Sequence, residues 1–518
     1  MNSQSHSHRR LFDKVCSVPP ITSSWCVFSS LIILSALSCI LGTFYDDEIF
    51  NIRLAALPFS NLIDFIKYIN SNDIHPPASY VLNKLTFDAV GSWKAVQFVN
   101  GILNAAAITL FFNRTLERIA KQERLLLTFA LATAVTSEMW GTSLRWNAYF
   151  NPVYLVLYTV ALSNWLTLVI RATILAIGTV FLFYTSYLTL VAAPVLWGTF
   201  LIASYKDLRA ADIGRATIIF LVAAIACLPQ FYILLTVHFP NYINSHSFSV
   251  AYSIVQSAAA ITVGNTVFPI DYIPALFLIL LGAACVSSLP KILHDYYVAA
   301  LLYGTLFGFT LLSLLRFGVE GRNSVFLYPV ALTLFVLAIS RSASWVSVFA
   351  TMTLVLLQII SVYNFVFHRD TAKGSFNTPF PQAVREISSL NRACAGKTYV
   401  FTHDPVLTYL VVQAGGRVSS PYVQSDATEI SVHEMDCVLV IDTYRGVLPP
   451  KLYAQFINPL SSERLRNTQT LNLGYDRFHA IKTWLGNETF PEYYITIKAY
   501  EALRDVSILD WYHLTVSQ

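Results

Sequence analysis

Charged residues are scarce in this sequence. They make up 12% of its 518 residues, whereas hydrophobic residues make up 55%. An ordinary soluble protein carries about 25% charged residues. The composition therefore excludes an ordinary soluble protein and indicates one that is integral to a membrane.

Several common motifs are also lacking. The sequence contains no Walker loop, no G-x-G-x-x-G and no metal signature with fixed ligand spacing. It has no internal repeat and no low-complexity run. These absences argue against a nucleotide-powered pump, and we expect no nucleic-acid partner.

Long apolar runs are abundant instead. Since a helix needs roughly 20 mostly apolar residues to cross a bilayer, these runs predict a polytopic α-helical membrane protein. The first run is too long for a secretory signal, so we interpret it as an anchor. About 11 transmembrane helices are expected, at residues 24–44, 92–112, 125–142, 149–169, 172–184, 187–203, 217–236, 273–290, 297–314, 323–340 and 344–366.

Lysine and arginine set the predicted orientation. They concentrate in the loops that are cytoplasmic if the N-terminus is cytoplasmic, as the positive-inside rule requires. The external loop 45–91 and the segment after residue 366 then lie outside the cytoplasm. In that loop, near-helical spacing of apolar residues predicts amphipathic helices at the membrane surface, through Leu54, Leu57, Leu62, Phe65 and Ile69.

Residues 367–518 differ from the rest in composition. Short β-rich runs, such as KTYVFTHDP and DCVLVIDTY, alternate with helix-like stretches. They predict a soluble α/β domain on the periplasmic or lumenal side, following a membrane domain of residues 1–366. This segment has two cysteines, Cys394 and Cys437, and whether they pair is left open.

Three consecutive acids follow the first span, Asp46, Asp47 and Glu48. A carboxylate close to hydrocarbon is costly unless it is hydrated, paired or bound to a cation, so these acids are functional candidates. A simpler role fits them equally, in which they end the span and solvate its end.

Two motifs in the first external loop carry a family resemblance. The acids stand in DDEIFNIRLA, and DIHPPASYVLNKL follows in the same loop. Together they resemble the dolichyl-phosphate-mannose protein mannosyltransferases and their bacterial relatives, which include the lipid A aminoarabinose transferases. These are C-superfamily (GT-C) glycosyltransferases that use a polyprenyl-phosphate sugar. The resemblance covers residues 24 to about 366, with Ser186 where relatives often have a histidine.

The resemblance implies an inverting transfer with a carboxylate as general base. Asp47 is the implied base, and Glu48 lies beside it to position the substrate or to bind a divalent ion. Asp46 is the base instead if the acidic motif begins there. No cofactor is certain, a divalent metal ion is possible, and its ligands are unknown.

The departing lipid phosphate needs a cation to stabilise its charge. Arg322 is our first choice, because it stands before an apolar span in GRNSVFLYPVAL, as the family's late arginine does. Each candidate also fits a role at a lipid headgroup. The other cations on the predicted external side are Arg53, Lys84, Arg145 and Arg316.

Two further groups have both structural and functional interpretations. His75, Pro76 and Pro77 are predicted to shape or line the acceptor side, with a purely structural turn as the alternative. Glu138 and Arg145 are spaced for a structural ion pair, which we prefer over a role in the site.

The sequence therefore predicts a glycosyltransferase that moves a sugar from a polyprenyl-phosphate donor to a glycan, lipid or protein acceptor. We expect it in the bacterial inner membrane, among membrane lipids, with its active site facing the periplasm; the ER membrane and its lumenal face are the alternative. A translocase or scaffold that handles lipid-linked sugar without chemistry is the competing class, and a lineage that has lost catalysis is the third.

Overall fold

The computed structural model describes most of the chain. The described residues are 20–42, 44, 46–56, 61–73, 75–205, 210–238, 254, 257–258, 260–262, 264, 272–315, 321–367, 379–402, 404–413, 418–419, 429–443, 465–475 and 493–509. The chain divides into two compact units. The first comprises Met1–Leu41 and Asn51–Ala372, and the second comprises Gly42–Phe50 and Lys373–Gln518.

The first unit is helical. A π-helical turn, Leu234–His238, continues the helix Ala210–Ile233, and a 3-10 segment, Gly321–Leu327, leads into the helix Tyr328–Arg341. The helices are α1 (Pro20–Leu41), α2 (Asp46–Ala56, which begins in the second unit), α3 (Leu62–Asn72), α4 (Ala78–Val90), α5 (Trp93–Leu116), α6 (Lys121–Ala132), α7 (Val135–Gly141), α8 (Asn147–Ala161), α9 (Leu168–Thr185), α10 (Thr189–Ser204), α11 (Ala210–Ile233), α12 (Tyr272–Leu293), α13 (Tyr296–Leu314), α14 (Tyr328–Arg341) and α15 (Ser344–Val366).

Seven described helical segments are long and apolar enough to cross a membrane, and two shorter apolar helices accompany them. The chain is a polytopic α-helical membrane protein, as predicted. The predicted span at 125–142 is divided into α6 and α7 by a break at Thr133 and Ala134. The number of 11 spans stays a prediction. The seven segments are Pro20–Leu41, Trp93–Leu116, Leu168–Thr185, Ala211–His238, Tyr296–Leu314, Arg322–Arg341 and Ser344–Val366.

Side-chain contacts gather the basic loops at one end of the helices. Arg341, at the end of α14, pairs with Glu123 at 3.0 Å and with Asp295 at 3.5 Å. Lys291 donates to the carbonyl oxygen of Arg341 at 2.9 Å. All four residues lie in or beside loops that the positive-inside rule assigned to the cytoplasm, so we call this the predicted cytoplasmic end.

A separate set of contacts gathers the other loops at the opposite end. Nη2 of Arg145, between α7 and α8, lies 3.3 Å from Nε2 of His75 in the first loop. Nε2 of His238, at the end of the π-helical turn, lies 3.1 Å from the carbonyl oxygen of Asn70. These are loops that the sequence predicts to be external, and the orientation of the chain in the membrane stays a prediction.

The first loop folds into helices that pack on one another. Leu54, Phe65, Ile69 and Tyr80 form a buried cluster that joins α2, α3 and α4. The predicted helices are therefore present. Leu62, expected on the apolar face, is 46% exposed instead, because α3 begins at this residue and its first turn faces outward.

The second unit contains a mixed five-stranded sheet. Strand β1 (Thr398–Thr402) pairs in parallel with β2 (Val418–Ser419) and β4 (Cys437–Thr443). The antiparallel part is β4–β6–β5, where β5 is Leu465–Tyr475 and β6 is Tyr493–Ala502. A separate antiparallel pair joins β3 (Glu429–Val432) and β7 (Val506–Leu509).

Among its described residues this unit also contains the helices α16 (Phe380–Ala393) and α17 (Pro405–Gln413). The buried face of α16 presents Phe380, Ala383 and Ile387. Together with the sheet they confirm the predicted C-terminal α/β domain.

A covalent bond and a ring contact tie segments of the second unit together. Cys394 and Cys437 form a disulfide with a Cα–Cα distance of 6.0 Å, which answers the question that the sequence left open. The ring of Phe44 packs edge-on against that of Tyr409 of α17, with centroids 5.7 Å apart. The beginning of the first loop thus belongs to the same compact unit as the C-terminal domain.

Candidate functional site

A chain of polar side chains connects the end of the first loop to the turn between α7 and α8. Oδ1 of Asp73 lies 2.8 Å from Nδ1 of His75, and Nε2 of His75 lies 3.3 Å from Nη2 of Arg145. The Tyr80 hydroxyl donates to the second carboxylate oxygen of Asp73. The side chain of Asp73 and the residues Tyr80 and Arg145 are each less than a tenth exposed. This row of polar side chains is therefore mostly shielded from solvent.

The local sequence explains why His75 points this way. Helix α3 ends at Asn72, and the backbone N–H of His75 donates to Oδ1 of Asp73 at 2.9 Å, which is an Asx turn. Pro76 and Pro77 are buried and directly precede α4. At the start of a helix, the N–H that proline lacks would have no partner within the helix, so proline is tolerated there. The Asp-x-His-Pro-Pro stretch therefore fixes the direction of the imidazole.

Hydrogen bonding fixes the protonation pattern of this chain. Arg145 can only donate, so Nε2 of His75 accepts and its Nδ1–H donates to Asp73. Burial raises the pKa of the Asp73 carboxyl, but the hydrogen bond from His75, the charge of Arg145 and the hydrogen bond from the Tyr80 hydroxyl hold that pKa well below its ordinary value. Asp73 is therefore a carboxylate at neutral pH, with a neutral imidazole between it and the guanidinium.

Buried amides hold the turn that carries Arg145. Nδ2 of Asn83 donates to the carbonyl oxygen of Leu144 at 2.6 Å, and Nδ2 of Asn100 donates to that of Ser143 at 2.9 Å. The Tyr149 hydroxyl donates to Oδ1 of Asn83 at 3.1 Å. Because these groups satisfy the backbone of an irregular turn inside the protein, Arg145 is held on a rigid support.

A second hydrogen-bonded chain lies at the same end. Nε2 of Gln230 donates to the Tyr187 hydroxyl at 2.9 Å, and that hydroxyl lies 2.7 Å from Nδ1 of His238. Nε2 of His238 then donates to the carbonyl oxygen of Asn70 at 3.1 Å, near the end of α3. Short π-helical turns such as Leu234–His238 often mark functional sites, and here the turn brings His238 to the first loop.

The predicted phosphate-binding cations have different surroundings. Lys84 donates to the carbonyl oxygen of Ala55 at 3.3 Å and lies 3.8 Å from the carboxylate of Asp88. Arg322 is the second residue of the 3-10 segment, and its carbonyl oxygen accepts from Nδ2 of Asn147, two residues after Arg145, at 3.4 Å. Arg322 and Arg145 therefore stand on neighbouring chain segments. Arg53 is partly buried in the last turn of α2, and Arg316 lies outside the described residues.

The predicted acids occupy the first turn of α2. Glu48 is fully buried. The backbones of Asp46 and Asp47 are helical, but their side chains lie outside the described part of the structure. Among the described residues, no group of three or more His, Cys, Asp or Glu side chains is arranged to hold a metal ion.

Glu138 does not pair with Arg145, contrary to the predicted ion pair. Its carboxylate is fully buried and accepts from Oγ of Ser35 at 2.7 Å and from Nδ2 of Asn104 at 3.0 Å. The predicted ion pair was wrong because Val135–Gly141 forms a separate buried helix, α7, in which Glu138 faces α1 and α5.

Comparisons with known proteins identify the fold. No protein-family model and no curated protein matches the chain. A solved structure does: the apo crystal structure of ArnT from Cupriavidus metallidurans, a lipid A aminoarabinose transferase, matches with a TM-score of 0.50 and 10% identity. The match covers 91% of this chain and 97% of that one. The chain has a GT-C fold.

Two weaker similarities have lower TM-scores. The same ArnT bound to undecaprenyl phosphate gives a TM-score of 0.46 at 9% identity, with 91% and 97% of the two chains covered. The apo oligosaccharyltransferase of Archaeoglobus fulgidus gives 0.41 at 12% identity, with 77% of this chain and 65% of that one covered.

Within the GT-C fold, sequence reasoning missed three polar residues of the external end. Asp73 stands in the motif DIHPPASYVLNKL, and its signal is an aspartate at a predicted turn, because an aspartate side chain can accept from the backbone N–H two residues on in an Asx turn. Tyr187 and His238 were missed as well. A histidine does contact the turn between α9 and α10, where His238 lies against Tyr187. This histidine comes from the π-helical turn after α11 and not from position 186.

Proposed function

We propose that the chain is a glycosyltransferase that moves a sugar, with inversion, from a polyprenyl-phosphate donor to an acceptor on the extracytoplasmic side of the membrane. A fold alone does not define an activity, so the proposal depends on a site. The observation that carries it is the buried chain Asp73–His75–Arg145, which holds a guanidinium at the end where the loops gather.

Arg145 is suited to a lipid phosphate. Its guanidinium has five N–H donors, and Nη2 lies 3.3 Å from Nε2 of His75. Arginine binds phosphate oxygens with two parallel hydrogen bonds, and a fixed cation stabilises the charge that the leaving phosphate gains. Arg322 stands on the adjoining segment and is proposed as a second phosphate ligand, with Lys84 and Arg53 as further candidates.

The acids are proposed to act on the acceptor. The acceptor hydroxyl gives its proton to the carboxylate of Asp47 as its oxygen bonds to the anomeric carbon, and the bond from that carbon to the phosphate oxygen breaks. The polyprenyl phosphate leaves with the electron pair. Glu48 supports Asp47 or binds a divalent ion, and Asp46 is the alternative base.

Two observations support an extracytoplasmic acceptor. The segment Gly42–Phe50, which carries the acids, belongs to the same compact unit as the C-terminal domain. That domain contains the Cys394–Cys437 disulfide, and disulfides persist in oxidising compartments. We therefore propose that the C-terminal domain takes part in acceptor capture, at the periplasmic face of a bacterial inner membrane.

The test is sugar transfer by the purified full chain in lipid, with a panel of polyprenyl-phosphate sugars and candidate acceptors. Asp47→Asn is expected to lower the rate by about a hundredfold or more while donor binding persists, because general-base catalysis contributes that much. Asp46→Asn tests the acid one position earlier, and Asp64→Asn is the control, since Asp64 is an acid of the same loop whose carboxylate accepts from Nδ2 of Asn61, the N-cap of α3.

Other outcomes separate the alternatives. Donor binding without transfer or hydrolysis, for every sugar and acceptor, would favour a translocase or scaffold. Loss of transfer in EDTA, restored by a divalent ion, would assign a metal to the reaction.

A further inference from the structure

A cavity of about 420 Å³ lies at the predicted cytoplasmic end, away from the proposed site. It opens among the end of α5, the α8–α9 connection, the end of α10 and the start of α13. Its polar wall includes Arg118, Asn164, His294 and Asp295, and its apolar wall includes Ile202 and Ala203. A cavity with one charged and one apolar wall, at the ends of membrane helices, is placed at the level of lipid headgroups.

Arg118 differs from two other arginines of this end. Arg114 pairs with Glu117, and Arg341 pairs with two acids. The guanidinium of Arg118 is instead next to a neutral amide: when the Asn164 amide is oriented so that its nitrogen donates to the carbonyl oxygen of Leu162, its oxygen accepts from Nη2 of Arg118 at 2.8 Å. Arg118 makes no ion pair with any residue that the structure describes, so its charge is directed to the cavity.

The acid of the cavity wall is already engaged. Asp295 caps α13 by accepting from the backbone N–H of Tyr297 at 3.0 Å, and its other oxygen lies 3.5 Å from Nη1 of Arg341. Nδ1 of His294 donates to the carbonyl oxygen of Pro290 at 2.6 Å. The Asp295 carboxylate is thus engaged by the backbone of α13 and by Arg341, which it shares with Glu123, and Arg118 is the arginine that lines the cavity.

We propose that this cavity binds the phosphate group of an anionic phospholipid, with Arg118 as the phosphate ligand and Ile202 and Ala203 beside the first carbons of the acyl chains. A guanidinium offers paired donors to phosphate oxygens. Basic pockets between membrane helices on the cytoplasmic side are recognised sites for such headgroups. The proposal is independent of the transfer reaction and stands whether or not that reaction is found.

The experiment is native mass spectrometry of the full chain titrated with phosphatidylglycerol, with phosphatidylcholine as the neutral lipid and inorganic phosphate as the free anion. Wild type is expected to bind phosphatidylglycerol about fivefold more tightly than phosphatidylcholine, since one arginine near a membrane surface contributes a factor of that size. Arg118→Gln is expected to lose the preference. Arg215→Gln, an exposed cation of the same end that pairs with Asp212, is the matched control and should keep it.

A second variant protects the test against a folding defect. Ala203→Trp fills the cavity without changing charge, so it should also lose phosphatidylglycerol binding, and melting in phosphatidylcholine micelles checks that each variant is folded. The proposal is overturned if wild type shows no preference, if Arg118→Gln or Ala203→Trp keeps it, or if inorganic phosphate displaces phosphatidylglycerol, which would make the site one for a free anion.

Discussion

Asp73 is the residue whose environment makes the clearest prediction about pH. Its carboxyl has a folded-state pKa far below the unfolded value of 3.8, so the unfolded chain binds more protons as pH falls through that value. The stability that the carboxylate contributes is therefore present above about pH 4 and is lost below it. Asp73→Asn should lower stability by about 1–3 kcal/mol at neutral pH.

Thermal melting of both proteins in detergent checks this. The difference in melting temperature should be constant between pH 5 and pH 8 and shrink as the pH falls below 4. A difference that grew towards low pH would contradict the assignment of a carboxylate to Asp73 in the folded protein.

Arg145 makes the clearest prediction about activity at the same scale. Arg145→Lys keeps the charge but loses the planar guanidinium with its paired N–H donors. The lysine side chain is also shorter, so its ammonium group no longer contacts His75. Transfer should fall at least about tenfold, with the larger effect on kcat if the arginine acts on the leaving phosphate. Arg215→Lys, at the opposite end, should leave kcat and KM unchanged. An effect on KM alone would assign Arg145 to donor binding without a role in the transfer step.

At the scale of elements, two helical glycines have different surroundings: Gly101 lies close to neighbouring helices, and Gly282 does not. A Cβ on Gly101 of α5 would lie 2.5 Å from Oγ of Ser35 and 2.9 Å from Cγ2 of Thr142, so α1 and α7 approach the helix there. Ser35 also holds the buried Glu138, which limits its freedom to move. A Cβ on Gly282 of α12 would meet no atom within 4 Å.

Opposite effects are therefore expected from the same substitution. Gly101→Ala should destabilise the protein by about 1–3 kcal/mol through overpacking. Gly282→Ala should be neutral or stabilise it by up to about 1 kcal/mol, because alanine is the better helix former. Parallel melting curves measure both, and equal shifts would contradict the helix packing described here.

The elements also show what the sequence could and could not predict. Long apolar runs predicted the seven long apolar helices, because few other structural elements contain apolar runs of this length. Strand β5 was missed, since its sequence, LRNTQTLNLGY, is largely polar and exposed and is defined by pairing with β6. The contacts of His75 with Arg145 and of Tyr187 with His238 span 70 and 51 residues of sequence, and no local pattern encodes such pairs.

At the scale of the whole molecule, the topology can be tested without any substrate. Arg215→Cys and Arg504→Cys place single thiols at exposed positions of the predicted cytoplasmic end and of the C-terminal domain, in a chain whose cysteines outside the disulfide are replaced by alanine. A membrane-impermeant maleimide should label position 504 from the periplasmic side and position 215 only in inverted vesicles. Labelling of both from one side would contradict the predicted orientation.

The packing of Phe44 on Tyr409 has a consequence for anyone who wishes to shorten or recombine this protein. A cut at residue 366 removes Tyr409 and leaves Phe44, two residues before the acidic run, without its ring partner. Truncation would therefore change the acidic segment as well as remove the domain. A chimera that exchanges C-terminal domains between relatives should carry residues 42–50 with the incoming domain, because two separate stretches of chain make up that interchangeable part.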